Sequence, residues 1–422
     1  MAIAFIALGS LLVVILMGRF SRLNVGIAAM GFAWLIGYYL AGMRVSTLVA
    51  GFPVGLFTIL FGITLLFSAA QVNGTLDKIA QAAIYATNAK RGLLPLIFFL
   101  LAVILASIGP GNIAAVALLA PMAMTIAGKV RISAFLMTIM VANGANAGAF
   151  SPIAPTGIIA NGLIAQLGLT MNPWTQVYLP SLLVQGVIAL LGYLLFGGLQ
   201  LWQTDSTVRP FDLEEIAGKR TPFTSPQRLT LAAIAALIVG VAIFKADAGF
   251  LALCLVTLLA LLGAADHEAA IKTVPWASIM MVCGVGLLIS ILAATGGLDL
   301  FTTLLASVST AANVTGVIAF VTGMLSTYSS SSGVVMPMFI PLVPGLLAQL
   351  GGGNAVAVVS AINVGSHVVD VSPLSTLGAL CIANAAAHED KNKLFQHLLI
   401  YGLAMSVFGA LLCYIFFGLL LK

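Results

Sequence analysis

The sequence predicts an all-α polytopic membrane protein made of two copies of one unit, and three observations carry that prediction. Hydrophobic residues make up 61% of the 422 positions and charged residues 7%, more apolar surface than a soluble core can bury. Apolar runs of membrane-spanning length, or nearly so, recur along the whole chain. Gly62, Leu65, Leu66, Ser68, Gly74, Leu76 and Asp77 recur as Gly284, Leu287, Leu288, Ser290, Gly296, Leu298 and Asp299, at a constant shift of 222.

The first half begins with spans expected at 2–18, 23–42 and 47–71. The first run ends in Arg19 and Arg22, the wrong flank for a cleaved leader. Residues 75–90, after the Gly-Leu-Asp corner, are too polar to span and read as an interfacial amphipathic arm. The apolar run 92–128 is broken by Ser107-Ile108-Gly109-Pro110-Gly111-Asn112, with Lys90 and Arg91 before it and Lys129 and Arg131 after it. Basic residues favour the cytoplasm, so both ends stay inside and the run folds as a re-entrant hairpin. Spans at 133–166 and 176–201 follow. The segment 202–228, densest in charge and holding Pro210, Pro222 and Pro226, reads as a cytoplasmic linker.

The second half repeats the order, with spans at 229–245, 249–264 and 275–292, an arm at 298–308, a broken run at 309–350, and spans at 354–387 and 395–421. No Lys or Arg flanks 309–350, as expected if that hairpin enters from outside. This topology puts 14 of the 17 Lys and Arg inside, leaving Arg44, Lys245 and Lys422 outside with both termini. Five spans plus one hairpin per half is an odd number of crossings, so the second copy is inverted. The sequence pI near 9.1 is then a matter of topology, and no nucleic-acid partner is expected. Cys254, Cys283, Cys381 and Cys413 lie in apolar runs without metal or disulfide spacing and read as packing residues.

Four breaks carry the candidate chemistry, because backbone can leave the helix at membrane depth only where it lines a cavity or is buried in protein. The hairpin tips align: Asn112 is followed by Pro121 as Ser332 is by Pro341, nine residues on. Each tip sets small residues and a side-chain oxygen at a helix N-terminus, where free N–H groups suit a carboxylate. The other two breaks are Ser151-Pro152-Ile153-Ala154-Pro155-Thr156-Gly157 and Ser372-Pro373-Leu374-Ser375-Thr376-Leu377-Gly378, where proline forces unwinding. Asn146 lies in a polar stretch just upstream of the first. Asp370 is the one carboxylate expected deep in the membrane, with His367 a turn earlier; it reads as a cation or proton site, or as the cap of the broken helix.

At these breaks the sequence resembles the ion transporter superfamily, in particular the divalent anion/sodium symporters, whose tips carry Ser-Asn-Thr. Gly111-Asn112-Ile113 and Ser331-Ser332-Gly333 keep that motif in part. The run 146–161 is most similar to the MatC-type malonate/dicarboxylate carriers. The resemblance implies a homodimeric elevator-type transporter that brings a small C3–C4 dicarboxylate, malonate- or succinate-like, across the cell inner membrane. Na+ or H+ would be the coupling ion, no other cofactor is expected, and the protein would not be an enzyme. The implied scaffold is 1–72 and 229–292, the arms are 73–91 and 293–308, and the moving parts are 92–201 and 309–422. Candidate substrate contacts are Gly111, Asn112, Ile113, Pro155, Thr156, Ser331, Ser332, Gly333, Ser375 and Thr376. Candidate cation contacts are Ser107, Asn112, Asn146, Ser151, Thr327, Ser330, Ser332, Asp370 and Ser372. The competing readings are a cation/proton antiporter or anion exchanger of the same superfamily and, remotely, an intramembrane hydrolase using Ser372, His367 and Asp370.

Overall fold

A computed structural model describes residues 2–20, 23–85, 91–202, 221–244, 246–327 and 329–419. Most of the expected linker (203–220), the basic residues Arg22, Lys90, Lys245 and Lys422, and Tyr328 of the second tip lie outside the described residues.

The described residues form helices and no strand. In the first half these are α1 (Ala2–Phe20), α2 (Val25–Trp34, continuing as a widened turn over Leu35–Leu40), α3 (Val45–Ala50), α4 (Val54–Val72) and α5 (Thr75–Tyr85). There follow α6 (Leu94–Ser107), α7 (Gly111–Lys129), α8 (Ala134–Ala149), α9 (Pro155–Gln166) and α10 (Leu179–Leu195). The second half holds α11 (Ser225–Ala242), α12 (Ala248–Leu261), α13 (His267–Thr273), α14 (Trp276–Ala294), α15 (Gly297–Ser307) and α16 (Val314–Ser326). Then come α17, which runs with irregular turns from Ser331 to Gln349, α18 (Ala355–His367), α19 (Thr376–Ala383) and α20 (Lys391–Cys413). Six helices among the described residues are long and apolar enough to cross a membrane: α4, α7, α10 with its preceding turn, α14, α17, and α20 with the turn that follows it.

The boundaries recur at the spacings of the sequence repeat. α4 and α14 begin and end 222 residues apart, as do the amphipathic arms α5 and α15. α7 and α17 are offset by 220. One expected boundary is corrected. The run 47–71 is not a single span, because it breaks at Gly51-Phe52-Pro53 and α4 starts only at Val54. Pro53 has no N–H to give to a preceding turn and disfavours a helical Phe52.

Side-chain caps start the helices sharply. Asn24 accepts from Gly26 N, Asp247 from Phe250 N, Ser133 from Leu136 N and Asn354 from Val356 N. Asn24 also donates to Ala277 O at 2.8 Å, tying α2 to α14 across the two halves. Where these helices cross, a Cβ on Gly284 would overlap the Gly26 carbonyl, and one on Gly62 would overlap the Gly249 carbonyl. The two halves therefore trade equivalent contacts: α2 lies on α14 as α12 lies on α4. Small residues that let backbones approach this closely are how helices associate without a hydrophobic driving force.

Gly74 and Gly296 open the two arms with φ of 74° and 76°, a left-handed turn that a side chain would strain. The first corner is tied by polar bonds. Asn73 Nδ2 donates to Thr230 Oγ1 at 2.7 Å and to Ala264 O at 3.1 Å, and Gln227 Nε2 donates to Asn73 O at 3.2 Å. Asn73→Ala is expected to cost about 1–3 kcal/mol by withdrawing the side-chain amide from Thr230 and from the Ala264 carbonyl, while the Gln227 bond to the backbone carbonyl remains, read as a lower melting temperature in detergent.

Candidate functional site

Both hairpins bend where the sequence breaks. α6 gives way to α7 across Ile108-Gly109-Pro110, and α16 to α17 across 327–330. Both Ser-Pro segments are unwound: α8 stops at Ala149 and α9 resumes at Pro155, while α18 stops at His367 and α19 resumes at Thr376. Four helix N-termini are thereby created inside the protein. Ser330 caps α17 through Gly333 N at 3.0 Å, and Ser375 caps α19 through Leu377 N at 3.3 Å. Asp370 is not the cap of the broken helix. Its Oδ1 accepts a 2.7 Å bond from Ser331 Oγ, joining the second break to the second tip.

Two cavities flank the tips. One, of about 260 Å³, touches the starts of α7 (Gly111, Asn112, Ile113), α9 (Pro155, Thr156) and α17 (Ser332, Gly333). Its far wall is α4 and α14, through Thr64, Phe67, Ser68, Ile279 and Met281. The other, of about 280 Å³, touches Asn112, Ile113, Ser329 to Ser332, His367, Asp370, Ser375 and Thr376. Asn112, Ile113, Ser278, Met281, Ser330 and Ser332 border both. Among the described residues neither cavity is lined by Lys or Arg, and each faces three helix N-termini. All ten candidate substrate contacts line one cavity or the other. Both volumes fall below the roughly 300–1,000 Å³ of pockets for drug-sized ligands, which sets the scale of a guest.

The candidate cation contacts are more dispersed. Ser107 Oγ donates to Val103 O at 2.6 Å and meets Tyr178 Oη at 2.9 Å. Thr327 Oγ1 donates to Gly323 O at 3.0 Å. Asn146 is fully buried between Asn112 and the His367 carbonyl. Ser372 Oγ accepts from Leu374 N at 3.3 Å, and Ser151 is buried at the end of α8. The three residues of the hydrolase reading are bonded elsewhere: His367 Nδ1 meets Asn363 O and Ser366 Oγ, Asp370 meets Ser331, and Ser372 meets Leu374.

Sequence reasoning missed the wall that α4 and α14 give to the cavities, namely Thr64, Gln71, Ser278 and Met281, and the bonded neighbours Tyr178 and Ser326. Ser68 lies in the repeated segment, and that repeat was the one available signal for the wall.

No curated protein matches the chain. Residues 1–149 match the family model described as the dicarboxylate carrier protein MatC N-terminus. The match ends at the last residue of α8, so it takes in the first hairpin with Asn112 and leaves the second half outside. Over those first 149 residues, about a third of the chain, the protein is similar to the MatC dicarboxylate carriers.

Proposed function

We propose that the protein imports a small dicarboxylate of three to four carbons, malonate- or succinate-like, across the cell inner membrane in symport with a cation, Na+ or H+. The observation that carries the reading is the convergence of four helix N-termini on two small cavities with no Lys or Arg among the described residues that line them. A helix N-terminus presents free N–H groups and about half a positive charge. Three termini per cavity therefore fall short of the two charges of a dicarboxylate. Leaving that deficit uncompensated costs several kcal/mol per ion, and co-bound cations are the simplest remedy. That gives coupling a physical reason.

The rest of the reading is architectural. The halves are inverted repeats with both termini outside, the α4 and α14 regions belong to a fixed scaffold, and the hairpins with the broken helices move as an elevator linked by α5 and α15. Two copies form the working homodimer through their scaffolds.

The test is uptake of labelled malonate or succinate into proteoliposomes, with sodium, proton and no imposed gradients. Accumulation that follows the sodium gradient supports the reading; uptake indifferent to both gradients sinks symport. One observation favours a second reading, cation/proton antiport: Asp370 is buried at the second tip and bonded to Ser331. Asp370→Asn preserves an acceptor for Ser331 and removes the charge. Under symport it is expected to lower gradient-driven dicarboxylate uptake at least about tenfold, the loss of one charge-assisted contact. Loss of proton-linked cation flux from a protein that carries no anion would establish the second reading instead.

A further inference from the structure

The two hairpin tips are joined through the protein by one line of hydrogen bonds. Asn112 Nδ2, at the first tip, donates to Asn146 Oδ1 at 2.9 Å. Asn146 Nδ2 donates to the carbonyl of His367 at 2.9 Å. The same carbonyl accepts the Asp370 N–H at 3.1 Å. Asp370 Oδ1 accepts from Ser331 Oγ at 2.7 Å, and Ser331 meets Ser326 at 2.5 Å, at the second tip. The line runs from the last turns of α8 into the second helix break, at Asp370.

Its polarity is fixed. A carbonyl only accepts, so the Asn146 amide must turn its nitrogen to His367 and its oxygen to Asn112. Asn112 must then present its own nitrogen, and its oxygen accepts the Ile113 N–H at 3.0 Å. Asn146 has no exposed surface, so water offers it no substitute partner. The line is also single. The residue 221 positions after Asn146 is His367 itself, and the residue 221 before Asp370 is Ala149, so the repeat supplies no second copy.

We propose that Asn146 is a positioning residue that couples the two tips, so that a ligand engaging Asn112 at the first tip tightens the second. The proposal rests on the carrier reading for its ligand. It assigns Asn146 a role through its neighbours, with both polar atoms of its amide already committed. A guest that draws the Asn112 amide toward itself shifts the Asn146 oxygen, and the rigid amide carries the shift to the His367 carbonyl and to the Asp370–Ser331 pair. Coupling of this kind is reciprocal, and coupled sites typically change one another's affinity about 5- to 150-fold.

Two variants of the full-length protein test it. Asn146→Asp keeps an acceptor for Asn112 but sets an oxygen against the His367 carbonyl; Asn146→Ser removes both arms. The first readout is hydrogen exchange with malonate as the probe. In the wild type, malonate is expected to slow exchange at both tips, 111–115 and 331–335. In either variant that is monodisperse in detergent, protection should persist at the first tip and fall severalfold at the second. The second readout is the sodium dependence of malonate uptake, sigmoidal in the wild type and close to hyperbolic in the variants. Equal protection of both tips in a folded variant overturns the proposal, as does a wild type in which malonate protects only one tip. Wild-type uptake indifferent to sodium would instead count against sodium symport, and the exchange experiment would still judge the relay.

Discussion

Replacing Asn112 with alanine is expected to weaken dicarboxylate uptake by roughly 10- to 100-fold, the loss of a hydrogen bond to a charged group together with the stranding of a buried one. Asn112 borders both cavities and stands in the first turn of α7. Its removal withdraws a donor from the cavities and leaves the Asn146 oxygen, in a residue with no exposed surface, without its partner. Ser332→Ala at the matching tip removes a hydroxyl that also borders both cavities, but among the described residues no hydrogen bond of the fold depends on it, so its loss should be smaller. Concentration dependence of labelled malonate uptake in proteoliposomes measures both. Wild-type affinity in Asn112→Ala would show that the tip amide does not meet the substrate.

The second large effect falls on the fold. Gly284→Val places a branched side chain where α14 crosses α2, against the Gly26 carbonyl. Backbone cannot step aside as a flexible side chain can, so the helices must separate. Overpacking at such a crossing costs about 3 kcal/mol, and more if the Asn24–Ala277 bond is lost with it. The expected result is a melting temperature in detergent lower by on the order of 5–10 °C. The control is Gly286→Val, two residues on in the same helix, where the nearest neighbour is the ring of Pro53, at ordinary contact distance or slightly closer. Equal melting of the two variants would mean that the crossing is not held by backbone contact.

Much of the fold was legible in the chain because the bilayer leaves few choices. Apolar length marks spans, and proline and glycine mark breaks. The breaks at 107–112 and 326–333 and the unwound Ser-Pro segments appear where those residues stand. The boundary within 47–71 was missed although Gly51 and Pro53 mark it, because hydropathy alone passes over them. Its apolar run is continuous through Phe52-Pro53, and hydropathy does not register a missing N–H. Among the candidate residues, Asn112 and Ser332 stood out by their aligned positions. Thr64, Ser278 and Met281 did not, since each is an ordinary residue within an apolar helix and acquires meaning only from the tip it faces.

The sequence by itself determined a helical membrane protein with one recurring segment and four interruptions, because composition and period report transfer free energy and helix continuity directly. The tertiary structure alone decided what the interruptions do together. It set three helix starts around each of two small cavities, walled the first with α4 and α14 and the second with α14, and ran one line of hydrogen bonds from Asn112 through Asn146 to Asp370 and Ser331. Contacts such as that between Asn146 and His367 join residues 221 positions apart. No local pattern encodes them; they follow from how the two halves pack.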